Sequence, residues 1–222
     1  MFKCLVYDTR LENKDTEKTY HLTEGNWYQA EDNYVAEMRS YLDPLCGQQH
    51  LPDFNHDNEG QYNEDVAIQN ANTYICLDRT NIAPSGSSQI EPCDLYATPQ
   101  QGFTFYHVKR STFSQQLSHL FNQGINAAES IRMFPESASK LKTLVTGKST
   151  KLSVSFVTPR QDDSFRVHYA IITHKDPSKK SKNLPFFSCI SLMRTMKQLR
   201  LMNVEAGYEF VKDAKQSYSN YR

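Results

Sequence analysis

The sequence predicts an α/β (α+β) fold: a central mixed sheet flanked by helices, with a small N-terminal β-hairpin and helix added to it. Three observations carry this. The runs T-Y-I-C-L-D-R (73–79) and F-T-F-Y-H-V-K (103–109) are built of strand formers in alternation. Directly after the second run, Leu117, Leu120, Phe121, Ile125 and Ala128 recur at helical spacing. The alternation then repeats, with strand-like segments at Phe165–Thr173 and Val204–Val211 enclosing a helical pattern of Ile190, Met193, Met196, Leu199 and Leu201. A chain of 222 residues with 38% hydrophobic and 12% aromatic content is large enough for one core with an extension. We place the extension at residues 1–50 and the core at 51–222.

Taken in order, residues 2 to 8 are rich in strand formers and open a small sheet. Tyr20–Thr23 and Trp27–Gln29 flank Glu24-Gly25-Asn26 as a hairpin. Asp32-Asn33 begins a helix whose Tyr34, Val35, Met38, Tyr41 and Leu42 form a core stripe together with Trp27, ending before Pro44. Residues 51–65 hold five acids and no lysine or arginine. They lead into a helix at N-E-D-V-A-I-Q-N-A. Strand 73–79 ends at Asp78; after the turn chemistry of Pro84 to Ser88 a strand is expected from Gln89 to Tyr96, then a turn around Pro99 and Gly102. In the helix that follows strand 103–109, Ser114 is a candidate cap and Gly124 is either tolerated or a break. Residues 135–151 are basic and read as a phosphate-contacting stretch or a connector. Val154–Val157 reads as a strand, Q-D-D-S (161–164) as a turn, and Lys212–Arg222 as a frayed tail.

Composition excludes several classes. No run is long enough to span a bilayer or act as a secretory signal, so a cytoplasmic protein without membrane contact is expected. Cys4, Cys46, Cys76, Cys93 and Cys189 are scattered and lack a C-x-x-C pair, which argues for buried free thiols rather than disulfides or a structural zinc site. The formal net charge of zero hides an asymmetry. Residues 1–111 hold 8 Lys and Arg against 17 Asp and Glu, and residues 112–222 hold 17 against 8. That division suits an acidic metal-binding region beside a basic surface for a polyanion, or two halves that attract each other.

The chemistry-bearing constellation lies in residues 90–132. Asp94 sits on one strand and His107 with Lys109 on the next, where His107 and Lys109 point together. An acid on one strand and a lysine on its neighbour is the arrangement of PD-(D/E)xK phosphodiesterases, with histidine here at the position of the second acid. Glu64, on the early helix, is the candidate for a further acid, with Glu59 second. Glu91 and Asp94 are three apart and would face opposite ways on a regular strand, unless Pro92 permits a bulge. For a polyanion the candidates are Arg110, Ser118, His119 and Gln123 near the catalytic strand's end, Lys179, Lys180 and Lys182 in a basic loop, and Arg194 and Lys197 on the last helix.

The segments E-G-N-W-Y, E-G-Q-Y-N-E, L-D-R, I-E-P-C-D-L, H-V-K-R, L-S-H-L-F-N-Q-G and L-P-F-F-S together resemble a sporadically distributed bacterial family of uncharacterised proteins. That family is similar to PD-(D/E)xK, restriction-endonuclease-like and Mrr-like enzymes. The resemblance covers most of the chain. It implies a restriction-endonuclease-like core, a role near restriction or phage defence, and Mg2+ or Mn2+ held by Asp94, Glu64 and His107 with Lys109 as the catalytic lysine. Members are longer at the N-terminus, which implies a truncated or split form here. DNA is the expected partner, with RNA as the other polyanion, and a homodimer or a partner defence subunit as the expected assembly. Two rival readings stand beside the endonuclease: a catalytically silent nuclease-fold subunit that binds nucleic acid, and a structural module whose acidic and basic halves pair between subunits.

Overall fold

In the computed structural model, residues 7–13, 16–23, 26–97, 102–149, 156–160 and 163–215 are described. Residues 2–6, Glu24-Gly25, Pro99, Cys4, Val154, Gln161-Asp162 and 216–222, on which several expectations fall, lie outside them.

A three-stranded antiparallel sheet comes first, with β1 (Tyr7–Asn13), β2 (Thr16–Thr23) and β3 (Asn26–Gln29) in that order. The expected hairpin is present, with Thr23 opposite Asn26. Trp27 is not core: it is 54% exposed on β3, an edge strand whose four residues are all exposed. Helix α1 (Asp32–Leu42) buries Val35, Met38 and Leu42 and leaves Tyr34 outside.

The larger sheet runs β4 (Tyr74–Cys76), β5 (Leu95–Ala97), β6 (Thr104–Lys109), β7 (Arg166–Thr173) and β8 (Glu205–Lys212), in that spatial order. Its first two pairings are antiparallel, and β6–β7 and β7–β8 are parallel. A parallel pair needs a crossover, which α3 (Ser114–Met133) with α4 (Pro135–Ser149) and then α5 (Phe186–Leu201) provide. Those helices and α1 cover one face. The other carries α2 (Glu59–Gln69) and the segment from Leu51 to Phe54, around Tyr62, Val66, Tyr106 and Ala170. With both faces covered, β7 is buried along nearly its whole length and sends Val167, Tyr169 and Ile171 to one core and Ala170 and Ile172 to the other.

Gly124 lies within α3 without breaking it, the first of the two readings, and the site requires it. A Cβ there would lie 2.3 Å from the Tyr169 hydroxyl, which donates to the Phe121 carbonyl at 3.0 Å. The missing side chain is what lets helix and sheet close. The helix begins at Ser114 itself, after Phe113, so Ser114 is not its cap. Residues 135–149 form a helix, which their basic composition concealed; Ser137, Leu141 and Val145, four apart, face inward. Leu201, expected in the core, is 88% exposed because α5 ends there. Strand β5 begins at Leu95 rather than Gln89, and the described residues 156–160 form no strand. Cys46, Cys76, Cys93 and Cys189 are free thiols, two of them buried. No helix among the described residues is long and apolar enough to cross a membrane.

Candidate active site

Asp94 stands where β4, β5 and β6 meet. Its backbone N–H donates to the Tyr106 carbonyl at 2.9 Å, and its carbonyl accepts from the Leu77 N–H at 2.9 Å. Its carboxylate accepts from the Val108 N–H at 2.6 Å and faces the Asn63 amide of α2 at 3.4 Å. Because β4 and β5 are antiparallel, the end of one lies beside the start of the other, which brings Asp78 to Asp94. Glu91 joins them. Carboxylate oxygens of Asp78, Glu91 and Asp94 all lie within 4.8 Å of one another.

This convergence answers the alternative left open at Pro92: a regular strand would turn Glu91 and Asp94 opposite ways, but the segment departs from one. Residues 89–94 are not strand, so the two-residue alternation does not govern them. The turn after β4 fixes Glu91 from below: Arg79 takes a left-handed backbone, φ 59°, and its N–H donates to Glu91. The loop between is held by α4, whose Glu136 accepts from the Ser85 N–H and hydroxyl and whose Lys140 donates to the Ala83 carbonyl at 2.5 Å.

The cluster is electrostatically costly. Burial pushes the Asp94 carboxyl well above the usual carboxylate range, and the charges of Glu91, Asp78 and Glu59 push it further against the Val108 hydrogen bond. Burial, then the neighbouring Asp78, also raises Glu91. Asn63 is almost wholly buried, and its Oδ1 has no hydrogen-bond partner among the described residues. Three converging carboxylates beside an unsatisfied amide oxygen form a hard-oxygen set that fits Mg2+ or Mn2+. The first turn of α2 adds its positive end: a Cβ at Gly60 would lie 3.4 Å from Asp78 Oδ2.

Lys109, the last residue of β6, pairs with Glu59 at 2.8 Å. Glu59 also accepts from the Arg110 N–H at 2.7 Å, so one acid at the head of α2 orients the lysine and the turn behind it.

The metal set expected from sequence, Asp94 with Glu64 and His107, is not the set the structure assembles. Glu64 is exposed because α2 turns Tyr62, Asn63 and Val66 inward, and the next residue after Asn63 points out. His107 is 2% exposed on the face under α3, 5.9 Å from the Tyr169 ring, and its Nε2 has no hydrogen-bond partner among the described residues. Burial alone holds its pKa down to about 3, and it stays neutral. Lys109 shares that strand face in principle, but a terminal residue is free to swing to Glu59 where a mid-strand residue under a helix is not.

Arg110 serves the scaffold: its guanidinium donates to Asp213 at 2.7 Å and lies over the Phe54 ring at 4.8 Å. Ser118, His119 and Gln123 lie on the half-buried to exposed side of α3. Lys179, Lys180 and Lys182 are exposed in a 3-10 segment (Pro177–Asn183), and Arg194 is exposed on α5. Lys197 lies over the Tyr41 ring at 5.3 Å. None of these is within the carboxylate group.

Sequence reasoning missed Asp78 and Asn63 and ranked Glu59 below Glu64. The available signal was pairing: an acid ending one strand and an acid opening its antiparallel neighbour must meet. A family of unknown function (DUF6119) matches residues 1–212. No curated protein and no solved structure matches the chain.

Proposed function

The chain belongs to the DUF6119 family, and from its geometry we propose that it is a metal-dependent phosphodiesterase, a cytoplasmic endonuclease acting on DNA in restriction or phage defence. The observation that carries the reading is the convergence of Asp78, Glu91 and Asp94 within 4.8 Å at the strand next to the one that ends in Lys109. The order of parts supports it: a helix headed by an acid, three antiparallel strands with an aspartate opening the second and a lysine closing the third, then a crossover helix and a parallel strand.

A divalent cation held by these carboxylates would polarise a phosphoryl oxygen and lower the pKa of an attacking water. Asp94, locked by the Val108 N–H, gives a fixed carboxylate whose position does not depend on solvent. Lys109 supplies a positive charge for the developing anion, and Glu59 keeps the ammonium from wandering. His107 takes no part in proton transfer in this reading, being buried and neutral.

The buried histidine at the position of the second acid favours a second reading, the silent nucleic-acid-binding subunit. Cleavage of supercoiled and linear DNA by the purified chain, with Mg2+, Mn2+ or chelator, separates the two. Cleavage that needs metal, Asp94 and Lys109 supports the phosphodiesterase. Salt-sensitive binding without cleavage, unchanged in Asp94→Asn, supports the silent subunit.

A further inference from the structure

A second group of donors lies in the parallel half of the sheet. Glu209 of β8, fully buried, accepts from the His50 N–H at 2.9 Å and the Leu51 N–H at 3.2 Å, and faces His50 Nδ1 at 2.7 Å. His168 of β7 brings its Nε2 to 3.3 Å from the same Glu209 oxygen. The His168 side chain is 6% exposed, and apart from this approach to Glu209 its Nε2 has no polar partner among the described residues. The two imidazoles meet edge to face, with centroids 5.8 Å apart.

We propose that His50 Nδ1, His168 Nε2 and a Glu209 oxygen form a binding site for a borderline divalent cation of the zinc or cobalt class, separate from the Asp94 site and independent of the function proposed above. The three donor atoms lie within 4.8 Å of one another. In a tetrahedral site with bonds of about 2.0–2.1 Å, neighbouring donors stand about 3.3 Å apart. The His168–Glu209 distance already has that value, and the His50–Glu209 distance opens by roughly half an ångström, which the half-exposed His50 side chain can give. Two imidazoles and one carboxylate favour a softer ion than the all-oxygen group at Asp94 does.

The surroundings are shaped for this. Gly207 is the register partner of His168, and a Cβ there would lie 3.1 Å from its Nδ1, so glycine leaves room for the ring. A cleft of about 570 Å³ opens over the group, with His50, His168, Gly207 and Arg200 on its walls. It leaves a fourth coordination position reachable by water or a small anion.

The test is titration of the full-length, chelator-stripped chain with Co2+, read by visible d–d absorption and checked by displacement with Zn2+. One Co2+ per chain with tetrahedral-type bands is expected, retained in Asp94→Asn and weakened at least tenfold in both His50→Ala and His50→Gln. His50 is half-exposed, and circular dichroism with a thermal melt verifies that these variants fold. Absence of the bands in the wild-type chain overturns the proposal, as do bands that persist in both His50 variants or vanish in Asp94→Asn.

Discussion

The two halves of the central sheet treat their inward carboxylates in opposite ways. In the antiparallel half, Asp78, Glu91 and Asp94 gather three oxygen donors whose mutual repulsion and burial raise Asp94 and Glu91. In the parallel half, burial alone would raise Glu209, but His168 and His50 outweigh it and hold its carboxyl below the usual range. The difference teaches how to read a buried acid. One whose neighbours share its charge is pushed up by them as well as by burial, and one faced by imidazoles and backbone N–H groups is held low in spite of its burial.

The largest effect that would break this contrast is catalytic. Asp94→Asn and Lys109→Ala are expected to lower metal-dependent DNA cleavage by about 10²–10³-fold, the order seen when one preorganised stabilising group is removed. Cleavage rates within a factor of two of wild type would remove the antiparallel group from the chemistry. Gly207→Ala addresses the other half. Crowding His168 is expected to weaken Co2+ binding about tenfold, in line with outer-sphere changes at metal sites, while leaving DNA cleavage unchanged. Unaltered Co2+ affinity would mean that the ring position does not matter.

A pH series in chelator sharpens the comparison because the two halves have opposite signs. Asp94 and Glu91 hold protons longer folded than unfolded, so their contribution to stability is present below the ordinary carboxylate range and is lost as pH rises through their raised values. Glu209, held low, contributes stability above the ordinary range that is lost as pH falls through its lowered value. Asp94→Asn removes part of the first effect. Its Tm in chelator should exceed wild type at pH 8 by about 2–4 °C, corresponding to roughly 1 kcal/mol in a chain of this size, with the gap closing towards pH 4. Equal melting at pH 8 would show that the carboxylates do not strain the cation-free fold. The smallest effects test the residues left outside. Glu64→Gln and His119→Ala, both exposed, should change cleavage by less than about twofold, the range of surface substitutions away from a site.

Much of the architecture was legible in residue periodicity. The α3 stripe of Leu117, Leu120, Phe121, Ile125 and Ala128 is buried as its spacing requires, and β6 and β7 lie where their strand formers put them. What stayed hidden was what depends on tertiary pairing. Helix α4 was masked by lysines on its outer side, and Trp27 by the assumption that a large aromatic ring is buried. At the site, Asp94 and Lys109 were readable from strand order. Asp78 was open to the same argument from strand pairing but was passed over, and the place of Glu91 beside Asp94 depends on an irregular segment that no fixed spacing describes. His50, His168 and Glu209 lie on three separated segments, and no local pattern joins them.

The clasp between the ends of the core has a consequence for synthesis. The Phe54 N–H donates to the Lys212 carbonyl and the Phe54 carbonyl accepts from the Ala214 N–H, each at 2.8 Å. Asp213 takes the Arg110 guanidinium, and Lys215 pairs with Asp57 just ahead of α2. The seat of Glu59, and through it the aim of Lys109, therefore rests in part on β8, the last strand among the described residues. A nascent chain that has not reached residue 212 carries all the carboxylates of the group yet lacks the clasp that steadies the Glu59–Lys109 pair.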